Sequence, residues 1–128
     1  MQKNIISTTK APQAIGPYSQ AVQFENLLFV SGQIPIEPGS GEILKGNIKE
    51  QTQQILENLN CILTEGGSSL NNVLRTTIFL TNLDDYAAVN ETYAQFFDES
   101  QPARSTVQVS RLPMGVQIEI DAIAGINT

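Results

Sequence analysis

Residues 47–80 read NIKEQTQQILENLNCILTEGGSSLNNVLRTTIFL, and within them the spacing of apolar side chains changes once. Ile48, Ile55, Leu59 and Ile62 recur at near-helical intervals, with Leu56 and Leu63 widening the stripe. Asn47 in front of them, followed three residues later by Glu50, has the form of a capping box, and Gly66-Gly67 supplies the stop. Beyond Asn71-Asn72 the run VLRTTIFL, Val73 to Leu80, is dense in β-branched and apolar residues and reads as a strand. A helix followed closely by a strand is the nucleus from which the rest is read. Cys61 shares its helix face with Gln54, Asn58 and Glu65, so it is expected to be partly exposed and an inert, reduced thiol.

Toward the N-terminus, a looser stretch with Ala21, Val22 and Phe24 and the compact run Leu27 to Val30 flank Glu25-Asn26, which reads as a hairpin turn. Ser31-Gly32 follows the second strand, and Pro35, Pro38, Gly39 and Gly41 mark a loop. Ile5-Ile6 can add a short strand. Toward the C-terminus, Asp84 is placed to cap a second helix carrying Tyr86, Val89, Tyr93 and Phe96 or Phe97 on one face, a stripe read as core. Gln101-Pro102 is its expected end. Two further strands, Thr106 to Ser110 and Gln117 to Ile123, flank a turn at Leu112 to Gly115. The order predicts an α+β fold, with a mixed, mostly antiparallel sheet and two helices packed on one face. The other face is expected to carry Thr106, Gln108, Glu119 and Asp121, and either meets water or packs against another copy.

Composition removes whole classes of chemistry. The 128 residues fit one domain, 1–128, and include no His and a single Cys. Catalysis by Ser-His-Asp or Cys-His, His-ligated zinc, haem and an internal disulfide framework are therefore excluded, and a reduced, cytoplasmic setting is the expectation. Thirteen acidic against seven basic side chains leave a net charge of −6, with Lys3, Lys10, Lys45, Lys49, Arg75, Arg104 and Arg111 scattered. Nucleic acid is not an expected partner of such a surface. The N-terminal segment lacks signal-peptide character, and no apolar run approaches the roughly 20 residues that cross a bilayer, so no membrane partner is expected.

Two side chains stand out as candidates for chemistry. Glu119 interrupts the apolar pair Ile118 and Ile120, either as a solvated outer-face residue or as an acid-base group. Arg104 follows Pro102 where a loop becomes a strand, and its guanidinium can grip a carboxylate bidentately or serve as an ordinary surface charge. Ser31-Gly32 and Gly16-Pro17-Tyr18 are places where backbone could approach a ligand, although no phosphate-binding or nucleophile-elbow motif is present.

Five strings, in order, change that reading: IGPYSQ at Ile15 to Gln20, SGQIP at Ser31 to Pro35, VNETY at Val89 to Tyr93, PARSTVQVSRLP at Pro102 to Pro113 and IEIDAIA at Ile118 to Ala124. Together they resemble the Rid family, also called YjgF/YER057c/UK114, across nearly the whole chain. The resemblance implies a RidA-type enamine/imine deaminase. Its substrates would be short 2-imino acids, 2-iminobutanoate and 2-iminopropanoate, released by pyridoxal-phosphate dehydratases acting on threonine or serine. It also implies a chorismate-mutase-like fold, a homotrimer with sites between subunits, and no cofactor or metal. On that resemblance Arg104 grips the substrate carboxylate and Glu119 orients, and helps deprotonate, the attacking water, with a main-chain carbonyl near residue 106 as its companion. Tyr18, Ser31, Gly32, Asn90 and Thr106 line the cleft, Tyr18 reaching across the subunit boundary. Thr106 departs from the Cys that many deaminating members carry there. A non-catalytic 2-oxo-acid-binding regulatory protein is the alternative, and a ribonuclease or translation inhibitor is a third, disfavoured by the charge and the missing imidazole.

Overall fold

The computed structural model describes residues 1–126. Six strands, β1 (Asn4–Ile6), β2 (Ala21–Phe24), β3 (Leu27–Gln33), β4 (Val73–Leu80), β5 (Ala103–Gln108) and β6 (Ile118–Gly125), form one sheet in the order β1-β2-β3-β6-β4-β5. Every neighbouring pair is antiparallel except β4 and β5, which are parallel and joined through a helix. The helices are α1 (Ile48–Glu65) and α2 (Tyr86–Phe96). This is the mixed α+β arrangement expected from the pattern.

Local chemistry accounts for the ends of α1. The Asn47 side chain accepts from the Glu50 amide at 2.9 Å, while the Glu50 carboxylate accepts from the Asn47 amide at 3.0 Å. At the other end Gly67, at φ 79°, takes the left-handed turn that only glycine adopts without cost, and the Ser68 amide closes on the Leu63 carbonyl. The hairpin turn lies at Glu25-Asn26, with Phe24 opposite Leu27 and Glu25 at φ 53°.

One face of the sheet meets both helices. Leu28, Val30, Ile78, Leu80, Ile118, Ile120 and Ala122 pack there with Ile55, Leu56, Leu59, Ile62, Leu63, Val89 and Phe97. On the opposite face, the cross-strand register aligns Ile5, Val22, Phe29 and Ile123 in one row over four strands. Ile5 is 65% and Phe29 42% exposed, and Val107 and Phe79 lie on the same face. That face is thus considerably more apolar than the four polar positions used to anticipate it.

Several boundaries differ from expectation. Ser31 and Gly32 lie inside β3, at a bulge between Val30 and Gln33, because the strand continues its pairing with β6 as far as Gln33. β5 starts at Ala103, since its parallel pairing with β4 begins as soon as the chain leaves Pro102. β6 runs on to Gly125, opposite Leu27. Asp84 does not cap α2; it lies in a 3₁₀ turn, Leu83–Asp85, where its amide donates to the Asn82 side chain. α2 stops at Phe96, because Phe97 turns inward to 2% exposure, well before Gln101-Pro102. Thr106 and Gln108 are not on the open face either: Thr106 pairs with Ile78 and Ile78 with Ile120, which places it on the helix-bearing side. At the sheet edge the helices leave room for polar side chains, so alternation in β5 alone misassigned the face.

Asn58, expected beside the half-buried Cys61, is instead buried at 1%. Its Nδ2 donates to the Ile36 carbonyl at 2.9 Å, and its Oδ1 accepts from Gln54. The loop that follows β3 is thereby tied to α1. Asn58→Ala is expected to cost about 1–3 kcal/mol, because the Ile36 carbonyl loses its buried partner; chemical denaturation at constant m-value measures it.

Candidate functional site

β5 presents Arg104 on the helix-bearing side, opposite Thr76 of β4. Its guanidinium carbon lies 4.9 Å from the centre of the Tyr93 ring and 5.5 Å from that of Tyr86, and Nη2 donates to the Tyr86 oxygen at 3.0 Å. Tyr93 is itself pinned by a 2.7 Å hydrogen bond between its hydroxyl and that of Thr76. Among the described residues no carboxylate lies within ion-pair distance of Arg104; the Lys49–Glu91 pair joins other parts of the two helices. The guanidinium opens instead on a cleft of about 320 Å³ bounded by Asn90, Tyr93, Phe97 and Pro102. An aromatic-stacked cation with no counter-ion among the described residues has the chemistry to receive an anion, and its planar fork suits a carboxylate.

The cation favours the phenolate of both tyrosines, yet their net shifts are opposite. The Asn90 amide one helical turn away, and then the Arg104 charge, hold the Tyr86 phenol below its ordinary pKa. Burial raises that of Tyr93, against the hydrogen bond from Thr76 and the charge of Arg104.

β5 is the last strand of the sheet. The Val109 amide donates inward to the Leu80 carbonyl at 2.8 Å. Successive residues of a strand turn their main-chain groups to alternate sides, so those of Arg104 and Thr106 point away from β4, along the free edge. The Thr106 hydroxyl is buried and has no hydrogen-bond partner among the described residues.

The second group of residues lies on the other side of the sheet. Glu119 of β6 is opposite Phe79, on the open face, and its side chain lies across Gly32. A Cβ added at Gly32 would come within 2.8 Å of the Glu119 carboxyl carbon, so only glycine lets the carboxylate rest against the β3 bulge. Burial pushes the Glu119 carboxyl above the usual carboxylate range, and the neighbouring Asp121 adds to the shift. Asp121 accepts a hydrogen bond from the Thr77 amide at 3.1 Å. Ser31 secures the loop beside this group: its hydroxyl donates to the Ser19 carbonyl at 2.6 Å and its amide to that of Gln20 at 2.9 Å. Gln20, buried at 5%, donates in turn to the Pro12 carbonyl at 2.6 Å. Tyr18, half exposed, folds its ring over Gly16 and accepts from the Ile15 amide at 3.2 Å. Tyr18, Gly32 and Met114 border a cleft of about 220 Å³.

The seven residues singled out in the sequence therefore form two sets. Tyr18, Ser31, Gly32 and Glu119 belong to the β3 bulge and the loop it holds; Asn90, Arg104 and Thr106 belong to the β5 edge and α2. Within one chain Arg104 and Glu119 lie on opposite faces and do not meet. Tyr86, Tyr93 and Thr76 were not singled out. The spacing of Tyr86, Asn90 and Tyr93, four and three residues apart, does place them on one helix face. Only the parallel pairing of β4 and β5 brings Arg104 against it. Among the described residues no three His, Cys, Asp or Glu side chains cluster as metal ligands do, and no helix is long and apolar enough to cross a membrane.

A family model described as endoribonuclease L-PSP matches residues 8–126. The chain is 56% identical over 124 residues to a RutC family protein of Pyrococcus abyssi, covering 97% of this chain and 98% of that one. It is 48% identical over 122 residues to a 2-iminobutanoate/2-iminopropanoate deaminase of Mus musculus, covering 95% of this chain and 90% of the mouse protein. Its fold superposes on the crystal structure of Escherichia coli TdcF with bound serine at a TM-score of 0.92 and 46% identity, over 97% of this chain and 99% of TdcF.

Proposed function

Because the chain belongs to the Rid family, the family of the endoribonuclease L-PSP model, we propose that it is a single-domain, cofactor-independent deaminase that hydrolyses 2-iminobutanoate and 2-iminopropanoate to 2-oxo acids and ammonia. The observation that carries this reading is Arg104, a stacked guanidinium at the mouth of a cleft with no carboxylate among the described residues to neutralise it. A 2-imino acid brings that carboxylate. Relatives named 2-iminobutanoate/2-iminopropanoate deaminase, at 45–48% identity, support the choice of substrate.

In this mechanism Arg104 holds the substrate carboxylate, leaving the C2=N carbon toward the water. The protonated imine is already electrophilic, so positioning supplies much of the acceleration. Glu119 accepts a proton from the water as its oxygen bonds to C2 and the C=N electron pair moves to nitrogen. The resulting carbinolamine collapses when the same proton reaches nitrogen: the C–N bond breaks, ammonia leaves, and loss of the hydroxyl proton forms the C2 carbonyl. A carboxyl group with a raised pKa suits an acid-base role near neutral pH. The outward main-chain carbonyl at Thr106 gives the water a second acceptor.

Arg104 and Glu119 must come from different copies for this to work. We assign the open face, with its row Ile5, Val22, Phe29 and Ile123, as the surface that packs in a homotrimer, which sets the Glu119 set of one subunit against the Arg104 edge of the next. A ribonuclease reading rests on the family description alone, against a charge of −6 and scattered cations.

The test couples a threonine dehydratase to semicarbazide, which traps the released imine. Added protein is expected to suppress the semicarbazone in proportion to its concentration. Tight calorimetric binding of 2-oxobutanoate without suppression would overturn catalysis in favour of a sensor.

A further inference from the structure

Arg104 touches two tyrosines, and they are not equivalent. Tyr93 is 7% exposed, with its hydroxyl engaged by Thr76, so it offers the guanidinium a ring face and nothing more. Tyr86 is 43% exposed, and its oxygen takes one of the guanidinium protons directly. The phenol can therefore exist in two charge states beside the same cation. As the neutral phenol it steers one N–H and leaves the positive charge for a ligand. As phenolate it is itself the counter-ion.

We propose that Tyr86 is a positioning residue that aims Arg104 at the ligand carboxylate and gates its charge, so that the site binds carboxylates only while Tyr86 is a neutral phenol. The inference rests on the carboxylate-binding role given to Arg104 above. The charged and titratable groups around Tyr86 are few. Arg104 comes from β5, Tyr93 from the same helix face, and Asp84 and Asp85 precede it in the 3₁₀ turn. Carboxylates as a class are already ionised in the alkaline range, and guanidinium does not titrate there, which leaves the phenols as the groups that change. The Asn90 amide and the Arg104 charge stabilise the Tyr86 phenolate, whereas burial opposes ionisation of Tyr93, so Tyr86 ionises first of the two.

The sign follows from linkage. A ligand that prefers the neutral phenol raises the phenol's pKa when it binds; its affinity is full below the pKa of the free protein and falls as pH rises through it. Tyr86→Phe keeps the ring against Arg104 and removes only the hydroxyl.

The measurement is an ultraviolet phenolate titration of the intact protein, with and without 2-oxobutanoate, beside calorimetric affinity for 2-oxobutanoate over the same range. The unaltered protein is expected to show an early-ionising phase that 2-oxobutanoate moves upward, and an affinity falling about tenfold per pH unit above the free midpoint. In Tyr86→Phe that phase disappears, affinity no longer falls with pH, and at neutral pH binding is roughly 3- to 10-fold weaker from the lost hydrogen bond. Equal affinity and an equal pH profile in the two proteins overturn the inference, as does failure of 2-oxobutanoate to bind. Binding that shows the linkage, in a protein that does not suppress the semicarbazone, upholds the gate and removes the deaminase reading. Suppression with an unchanged Tyr86→Phe profile does the reverse.

Discussion

Arg104→Ala is expected to lower kcat/KM for imine hydrolysis by roughly 10²–10⁴, to the point where the semicarbazone forms as though no protein were added. The size follows from the loss of two charge-assisted hydrogen bonds to one carboxylate, each contributing about 1.5–3 kcal/mol. It exceeds the effect of removing an ordinary surface charge because Arg104 is held in place before the ligand arrives, by the Tyr93 and Tyr86 rings and by its bond to the Tyr86 oxygen. Stability should respond little. Among the described residues no internal ion pair is broken, and only the stacking on two rings and one exposed hydrogen bond to Tyr86 are lost. A normal melting curve with absent turnover is therefore the expected pair of results. Near-normal turnover would remove the carboxylate clamp from the mechanism. Arg104→Lys separates charge from shape: it keeps the cation and loses the planar fork, and should recover only part of the activity.

Glu119→Gln should act on the other parameter. Its task lies with the water and not with the anion, so kcat falls by about 10²–10⁴ while KM changes little. The pH profile carries a second signature. Burial and then Asp121 raise the pKa of Glu119, so the active, ionised form accumulates only above the usual carboxylate range. Activity of the unaltered protein should drop as pH falls through that raised value, and the variant should lack this limb. Stability runs in the opposite direction. The folded state favours protonated Glu119, a preference that contributes stability below the usual carboxylate range and is lost as pH rises through the raised value. Glu119→Gln should therefore melt higher than the unaltered chain at neutral pH, the gap closing in acid. A large rise in KM at constant kcat would make Glu119 a binding residue instead.

The extent to which the chain could be read in advance depends on the range of the interactions involved. The Asn47–Glu50 cap, the stop at Gly66-Gly67, the Glu25-Asn26 turn and the strand after Asn72 are set within a few residues of themselves, and all were legible. The stop of α2 was not, because the burial of Phe97 is a tertiary event that precedes the proline in effect as well as in position. The faces of β5 were lost for a similar reason. Polar alternation assigns a face only where water covers one side and helices the other, and a sheet edge satisfies neither condition. Among site residues, Arg104 and Glu119 could be singled out because each is polar where its strand is otherwise apolar or constrained. Tyr86 and Tyr93 were hidden within a stripe that also builds core, as Val89 and Phe97 do. The close approach of the Glu119 carboxylate to Gly32 could not be read either, since the two lie 87 positions apart in the chain.

In the proposed trimer, Arg104 and Glu119 occupy opposite faces of the sheet, so no subunit supplies both groups to the same site. Two silent alleles, one lacking the arginine and one lacking the glutamate, would then be complementary. In a mixed assembly, some seams would take their arginine from one allele and their glutamate from the other. Heredity would score as mild a combination of lesions that biochemistry, working on each pure protein, would score as null.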